Sequence, residues 1–328
     1  MGPLVGSLRS NLATSMDYSW PQARSLECIV ACGLWLLMLG IAACGGATPG
    51  RTVVRGSALP SGSRFRCARG MLLVPASRIG SAAAASCAVS VAQGHESVNT
   101  SEFCVDRTEV TVGEFLGRMA FARESADRRV SFPPGGVERL RALGTDCNLR
   151  RPEDQWQPVN CVDPEVAEAV CALRGARLPT CVEWIVAAGT NGEPGRMPWG
   201  TAPLDGTRAN AYDRSAWTLA DESAVPLAND GFSGTAPVGS FPAGASPVGA
   251  LDMAGNVAEF VRYRRVRVVR RDGSSLEVWA YRFMGGSFLS TGGWDYVLSE
   301  GSRLIDTTDM RSGDVGFRCV SDAVSSAP

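Results

Sequence analysis

Histidine is almost missing from this chain. His95 is the only imidazole in 328 residues, which excludes a metal centre built from several histidines. It lies in the polar stretch from Gln93 to Thr100 and reads as a solvated loop residue. No Cys-x-x-Cys pair is present, so the usual zinc spacing is missing as well. An excess of charge of one sign is also lacking: 32 basic residues face 33 acidic ones for a net charge of −1. Without a basic field there is nothing to draw in nucleic acid. The local run from Tyr263 to Arg271 is rich in arginine, but it alternates beside Asp272-Gly273, a type I′ turn signal, and reads as a solvated hairpin face. Long apolar runs are confined to one place near the N-terminus.

That run, Cys28 to Ala43, follows Arg24 and ends in Ile41-Ala42-Ala43-Cys44. It is too short and wrongly flanked for a membrane-spanning helix. The small-residue ending is instead the pattern of a bacterial lipoprotein signal, with Cys44 as the lipidated first residue of the mature chain. Gly45 and Gly46 follow rather than Asp, which favours an outer membrane where the organism has one. Residues before Met16 lack signal character, so Met16 is an alternative start. This gives a signal peptide over 1–43 and a tether over 44–66, rich in Gly, Ser, Pro and Thr. The expected localisation is the cell envelope, with the membrane reached through the lipid.

Beyond the tether lie Cys67, Cys87, Cys104, Cys147, Cys161, Cys171, Cys181 and Cys319. An even count in an exported chain points to disulfides, while the connectivity stays open. Cys181 reads equally as a bridge or as a buried thiol.

Helix signals are few. Thr111 and Glu114 form a capping box that predicts a helix over 112–122. Asp163 followed by Pro164 predicts a second, with Val166, Ala169, Val170 and Leu173 on one face and Gly175 as its stop. Thr180 and Glu183 repeat the capping box ahead of a short helix ending before Gly189. Strands are expected at Met71–Pro75, Ser101–Asp106, Arg264–Arg270, Leu276–Phe283 and Val315–Val320. The segment 124–158 reads as an insertion with some helix at 137–143. With 37 Gly and 19 Pro, the rest is expected to be loop.

Several motifs carry a resemblance: RLPTCVEWIVAAG (177–189), PWG (198–200), DGFSGTAPVGSFP (230–242), GALDMAGNVAEF (249–260), GGSFLS (285–290) and GFRC (316–319). Together they resemble the formylglycine-generating enzyme family, also called the sulfatase-modifying-factor domain, over roughly residues 67–320 and without repeating. One domain follows, with a tail at 321–328. The resemblance implies an α+β, loop-rich fold of C-type-lectin-like type, with a small mixed sheet and few helices. It also implies a pairing of Cys171 with Cys319.

The family is a copper-dependent oxidase whose metal sits between two cysteines. Those positions are Ser290 and Asp295 here, a hydroxyl and a carboxylate that cannot hold soft copper(I) as thiolates do. The usual Trp before the Glu of the Asn-x-Trp-Glu-Trp motif is replaced by Ala258. Only Ser287 remains of the reactive cluster, and no catalytic residue is assigned. The related iron-dependent sulfoxide synthases need several histidines and are set aside.

The family's structural calcium sites match better. One falls on Asn210, Ala211, Asp230 and Phe232, the other on Asp252, Gly255, Val257 and Glu259. Mixed carboxylate, amide and carbonyl oxygens suit a hard cation, so calcium is the expected cofactor and copper is not. The reading is a lipid-anchored, calcium-stabilised recognition or structural module with an envelope protein, peptide or glycan as partner. Trp294, Asp295 and Tyr296 would offer a ligand face or fill the core. The alternative is an oxidase forming formylglycine on a target peptide.

Overall fold

Among the described residues, capping boxes set two of the three α-helices. The structure, a computed structural model, describes residues 65–80, 87, 97–125, 146–151, 153–193, 195–211, 229–270, 272–290 and 311–325, all within the unit Val53–Pro328. The Glu114 amide donates to Thr111 Oγ1 at 3.1 Å, and the Thr111 amide donates to a Glu114 carboxylate oxygen at 3.2 Å. Helix α1 (Val112–Ser125) starts there and buries Val112, Phe115 and Met119. Helix α2 (Pro164–Ala172) begins at the Asp163-Pro164 step. The second box, Thr180 with Glu183, starts α3 (Cys181–Ala188), which ends on Gly189 in the left-handed conformation. Satisfying these orphan N–H groups locally is what makes the starts legible in sequence. The helix expected at 137–143 lies outside the described residues.

Ten strands, all but two of them short, lie among the described residues. Strands β2 (Met71–Val74), β5 (Phe103–Asp106) and β9 (Val320–Asp322) form one antiparallel sheet with β5 central. A second sheet orders β7 (Ser275–Met284), β6 (Ala258–Val269) and β8 (Val315–Gly316), with β6 antiparallel to β7 and parallel to β8. Two-stranded pairs join β1 (Phe65–Arg66) to β10 (Val324–Ser325), and β3 (Ser77–Gly80) to β4 (Ser97–Thr100). The fold is therefore α+β with few helices and small mixed sheets.

Two expectations are corrected. The strand foreseen over Val315–Val320 is interrupted, because the carbonyls of Phe317 and Cys319 turn away to accept from Val110 and Asp106. The β6–β7 turn is not type I′, which needs positive φ at both central residues. Of the described loop residues Gly273 (φ +80°) is left-handed and Asp272 is not, and the Arg270 amide donates to the Ser274 carbonyl across a three-residue loop. Asp272 instead accepts from the Ser274 amide and hydroxyl.

The side-chain alternation of β6 links two apolar cores. Phe260 packs with Val110, Phe115, Val166, Val170, Leu178 and Phe317 around α1 and α2, while Val261 packs with Trp184, Ile185, Met253 and Met284 around α3. Four disulfides tie this loop-rich body: Cys67–Cys104, Cys87–Cys181, Cys147–Cys161 and Cys171–Cys319. Cys181 is thus a bridge rather than a free thiol. The chain has no lysine, so every basic partner in an ion pair is a guanidinium. Among the described residues three are bidentate, Arg177 on Glu183, Arg262 on Glu168 and Arg318 on Glu259. Among the described residues no helix is long and apolar enough to cross a membrane.

Candidate functional site

The chain leaves β7 through Gly285 and Gly286, both with positive φ, and delivers Ser287 and Ser290 into a tight turn. The Ser290 amide donates to the Ser287 carbonyl at 2.9 Å, and the Ser287 amide donates to Ser290 Oγ at 2.8 Å. Ser287 Oγ donates to Asp314 Oδ2 at 3.1 Å and accepts from the Leu289 amide at 3.2 Å. Ser312 Oγ donates to the other oxygen of Asp314. The next residue, Val315, pairs with Ala258, so β6 and β8 hold the carboxylate against the serine turn.

These residues line a pocket of about 200 Å³ with Ala258, Phe283, Gly286 and Leu289. Its chemistry is two hydroxyls and one carboxylate between apolar walls. Among the described residues the Ser287 hydroxyl meets the Asp314 carboxylate, and neither serine meets an imidazole or an amine. Among the described residues no group of three or more His, Cys, Asp or Glu side chains converges on a common metal position. Asp314 was missed in the sequence; its only signal is its place two residues before Gly316 of the GFRC motif. Trp294, Asp295 and Tyr296 lie outside the described residues, as do His95 and Cys44.

Beneath this turn the two predicted cation sets meet at one side chain. Asn256 Oδ1 accepts from Asn210 Nδ2 at 3.1 Å and from the Ala236 amide at 2.8 Å, while its Nδ2 donates to Glu109 Oε1 at 3.0 Å. Gly255, with φ +80°, has no room for a Cβ, because the Asn210 backbone crosses directly over it. The GN dipeptide thus clamps the 210 loop onto the start of β6.

In the first set, Asp230 Oδ2 accepts from the Ala211 amide at 3.0 Å and its Oδ1 accepts from the Phe232 amide at 2.8 Å. The turn therefore brings Asn210, Ala211, Asp230 and Phe232 together. Asn210 is 1% exposed and its Oδ1 has no hydrogen-bond partner among the described residues. A buried acceptor left unpaired costs about 1–3 kcal/mol, and a hard cation satisfies it. The amide, carboxylate and carbonyl oxygens are of the types a hard cation takes, with both Asp230 oxygens also accepting backbone amides.

The second set is organised differently. Arg318 is wholly buried, and it donates to Glu259 through Nε (2.6 Å) and Nη2 (2.5 Å). Trp184 Nε1 donates to the same carboxylate at 2.8 Å. Asp252, at φ +56°, accepts from the Gly239 amide at 2.6 Å. Both oxygens of Glu259 are thus spent on protein donors, and a guanidinium supplies the positive charge where a divalent ion was expected. An ion bound through Asp252, Gly255, Val257 and Glu259 would have to share that carboxylate with Arg318, so this set fits calcium less well than the first.

The field around Arg318 is strongly acidic. Burial, reinforced by the Asp252 carboxylate, pushes Glu109 well above the usual carboxylate range. Burial also raises Asp252. Burial alone would depress Arg318, but the Glu259 charge outweighs it and holds the guanidinium above its ordinary value. Three carboxyl groups face one guanidinium, and of these burial and the neighbouring Asp252 charge push Glu109 up.

Residues 58–323 match the sulfatase-modifying factor enzyme 1-like domain. The chain belongs to that family. A bovine protein described as inactive Cα-formylglycine-generating enzyme 2 is 33% identical over 169 residues, covering 51% of this chain and 50% of its own length. The formylglycine-generating enzyme of Mycobacterium tuberculosis is 31% identical over 208 residues, covering 58% of this chain and 65% of its own. Hercynine oxygenase of the same organism is 40% identical over 107 residues, 32% of this chain and 21% of its own. The chain spans about half the length of the inactive relative. Among solved structures, CarF overlays with a TM-score of 0.47 at 20% identity, covering 77% of this chain and 97% of its own. The family thus includes proteins named as active enzymes and proteins named as inactive.

Proposed function

We propose that this chain is a non-catalytic, calcium-stabilised recognition or structural module of the sulfatase-modifying-factor family, carried at the cell envelope by a lipid on Cys44. The observation that carries the proposal is the serine turn. Where copper(I) needs a thiolate, Ser290 Oγ is turned inward to accept the Ser287 amide, and a hard hydroxyl is a poor ligand for a soft ion. No other thiol of the folded body stands in, since all eight cysteines from Cys67 to Cys319 are bridged. The pocket beside the turn, opened by Ala258, is the proposed seat for an envelope protein, peptide or glycan. The C-type-lectin-like variant of the fold, built on loops, accords with that use.

The purified protein is expected to bind copper(I) weakly and to consume no oxygen with a cysteine-containing sulfatase peptide. Turnover by the native sequence would sink the proposal. The informative companion is Ser290→Cys with Asp295→Cys, which restores both ligands. The competing reading, a formylglycine-generating oxidase, draws on the similarity to proteins named as such and requires that turnover.

Calcium is proposed at Asn210, Ala211, Asp230 and Phe232, supported by the unpaired Asn210 Oδ1. An ion bound only by the folded state adds stability by mass action, about 2.7 kcal/mol at a hundredfold excess over Kd. Chelation should therefore lower the melting temperature, and Asp230→Ala should abolish the response; a melting temperature indifferent to chelator would remove the ion.

For the anchor, the small-residue ending before Cys44 is the support. Cys44→Ala is expected to change the apparent mass and to release from the membrane fraction the share of the protein that the lipid alone retains. An unchanged distribution and mass would refute lipidation.

A further inference from the structure

The β6–β7 hairpin outgrows the body that supports it. Residues 258–261 of β6 are buried, whereas Arg264, Arg265, Arg267, Val268, Val269 and Arg270 are exposed, as are Ser275, Leu276 and Glu277 of β7. The base is firmly held. Arg262 grips Glu168, Trp279 lies between Arg262 and Arg265, and Arg282 sits 3.9 Å above the Tyr263 ring. Beyond that base, among the described residues, the two strands of the ribbon pair with each other alone.

The register sorts its side chains. Pairs Val266–Val278 and Val268–Leu276 share one face, with Arg264 on the same side. Arg265–Trp279, Arg267–Glu277 and Val269–Ser275 occupy the other. Val268, Leu276 and Val269 are 47%, 46% and 67% exposed. Arginines on an unpaired ribbon can be explained as protection against edge-to-edge pairing. Water-exposed aliphatics set among them cannot, since they add to that hazard while Val268, Leu276 and Val269 keep about half or more of their surface in water.

We propose that this distal hairpin docks on an anionic phospholipid surface. Val268, Val269 and Leu276 would enter between the headgroups while Arg264, Arg267 and Arg270 meet the phosphates. Charge complementarity selects the partner: over residues 264–277 five arginines against Asp272 and Glu277 make a local positive excess on a chain whose net charge is −1. Guanidiniums beside an apolar wedge are the pattern of interfacial binding to acidic lipid. A soluble polyanion would use the arginines and leave the aliphatics in water. The inference does not rest on the acyl group at Cys44 and stands or falls separately from it.

The test uses the full chain with Cys44→Ala, so that no acyl anchor contributes, in flotation with equimolar phosphatidylglycerol and phosphatidylcholine vesicles. The protein is expected to float with these vesicles and not with phosphatidylcholine alone. Val268→Ser with Leu276→Ser should weaken flotation by about tenfold, from the apolar burial lost. Arg264→Gln with Arg267→Gln and Arg270→Gln should abolish the preference for acidic lipid. Unchanged melting temperatures would show that both variants fold. The proposal is overturned if the parent stays unbound or if both variants float like the parent. It is equally overturned if the serine variant still floats and heparin displaces it, giving the arginines to a soluble polyanion. A dimer in light scattering that Val268→Ser dissociates would assign the face to a second copy of the chain.

Discussion

Arg318→Met is expected to cost about 3–5 kcal/mol of folding stability, the range seen when one partner of a buried ion pair is removed. The guanidinium holds more than Glu259. It also donates to the carbonyls of Asp106 (3.1 Å), Leu251 (2.9 Å) and Asp252 (3.3 Å), joining the end of β5, the loop ahead of β6 and β6 itself. Methionine fills similar volume but leaves Glu259, 1% exposed, without a cation. Denaturant unfolding of the two proteins measures the difference, and a loss below about 1 kcal/mol would mean that the pair contributes little, as exposed pairs do.

The pH dependence of that loss has a definite sign. Glu109 and Asp252 already have raised folded-state values, and removing Arg318 raises them further. A carboxyl group with a raised folded value contributes stability that is fully present below its unfolded value, about 4.3 for glutamate, and is lost as pH rises through the folded value. The Arg318→Met deficit should therefore be larger at pH 7 than at pH 5. Glu259→Gln added to Arg318→Met keeps an acceptor for the Trp184 indole and should recover part of the loss. Added calcium should also recover part of it, because the oxygens of Glu259 become free to meet Asp252 and the carbonyls of Gly255 and Val257. Failure of calcium to help would confine the ion to the Asn210 set.

What could be read from the sequence was mostly local. Thr111 with Glu114 and Thr180 with Glu183 satisfy helix N–H groups within four residues, so their pattern needs no tertiary information. Asp272-Gly273 marked the hairpin correctly, but turn type depends on φ at each position, and of these two Gly273 is left-handed while Asp272 is not. Strands β3 and β4, SRIG and SVNT, carry no apolar run and exist through pairing with each other across intervening chain. The site was legible only as motif positions. Nothing in GFRC announces that Arg318 is wholly buried, because its burial is decided by Asp252, Glu259 and the Asp106 carbonyl converging on it from separate segments. Asp314 was hidden for the same reason. Its partner Ser287 is 27 residues away along the chain.

Removing the Cys171–Cys319 bridge is expected to be among the costliest changes, because a loop-rich body has few ladder hydrogen bonds to replace it. The bridge spans 148 residues, against 14 for Cys147–Cys161. In the chain-entropy account this corresponds to about 5 against 3 kcal/mol, with strain and residual structure reducing both. Packing acts in the same direction, since Cys171 and Cys319 are wholly buried among Val110, Phe260 and Phe317. Cys171→Ala with Cys319→Ala should therefore lose about 3–5 kcal/mol, more than Cys147→Ala with Cys161→Ala. Equal or reversed losses would show that loop length does not govern these bridges. Peptides mapped without reduction should contain Cys171 joined to Cys319, and free thiols at both positions would remove the premise. The bridge also adjoins Arg318, and the Cys319 amide donates to Asp106 Oδ2 at 2.8 Å. Bridge and guanidinium thus fix the same strip of chain against β5. Their removals should couple rather than add, as expected for neighbours sharing partners. With the bridge already gone the strip can pull away from β5, so Arg318→Met should cost less there than in the bridged protein. A loss equal to that in the bridged protein would show that the two restraints act independently.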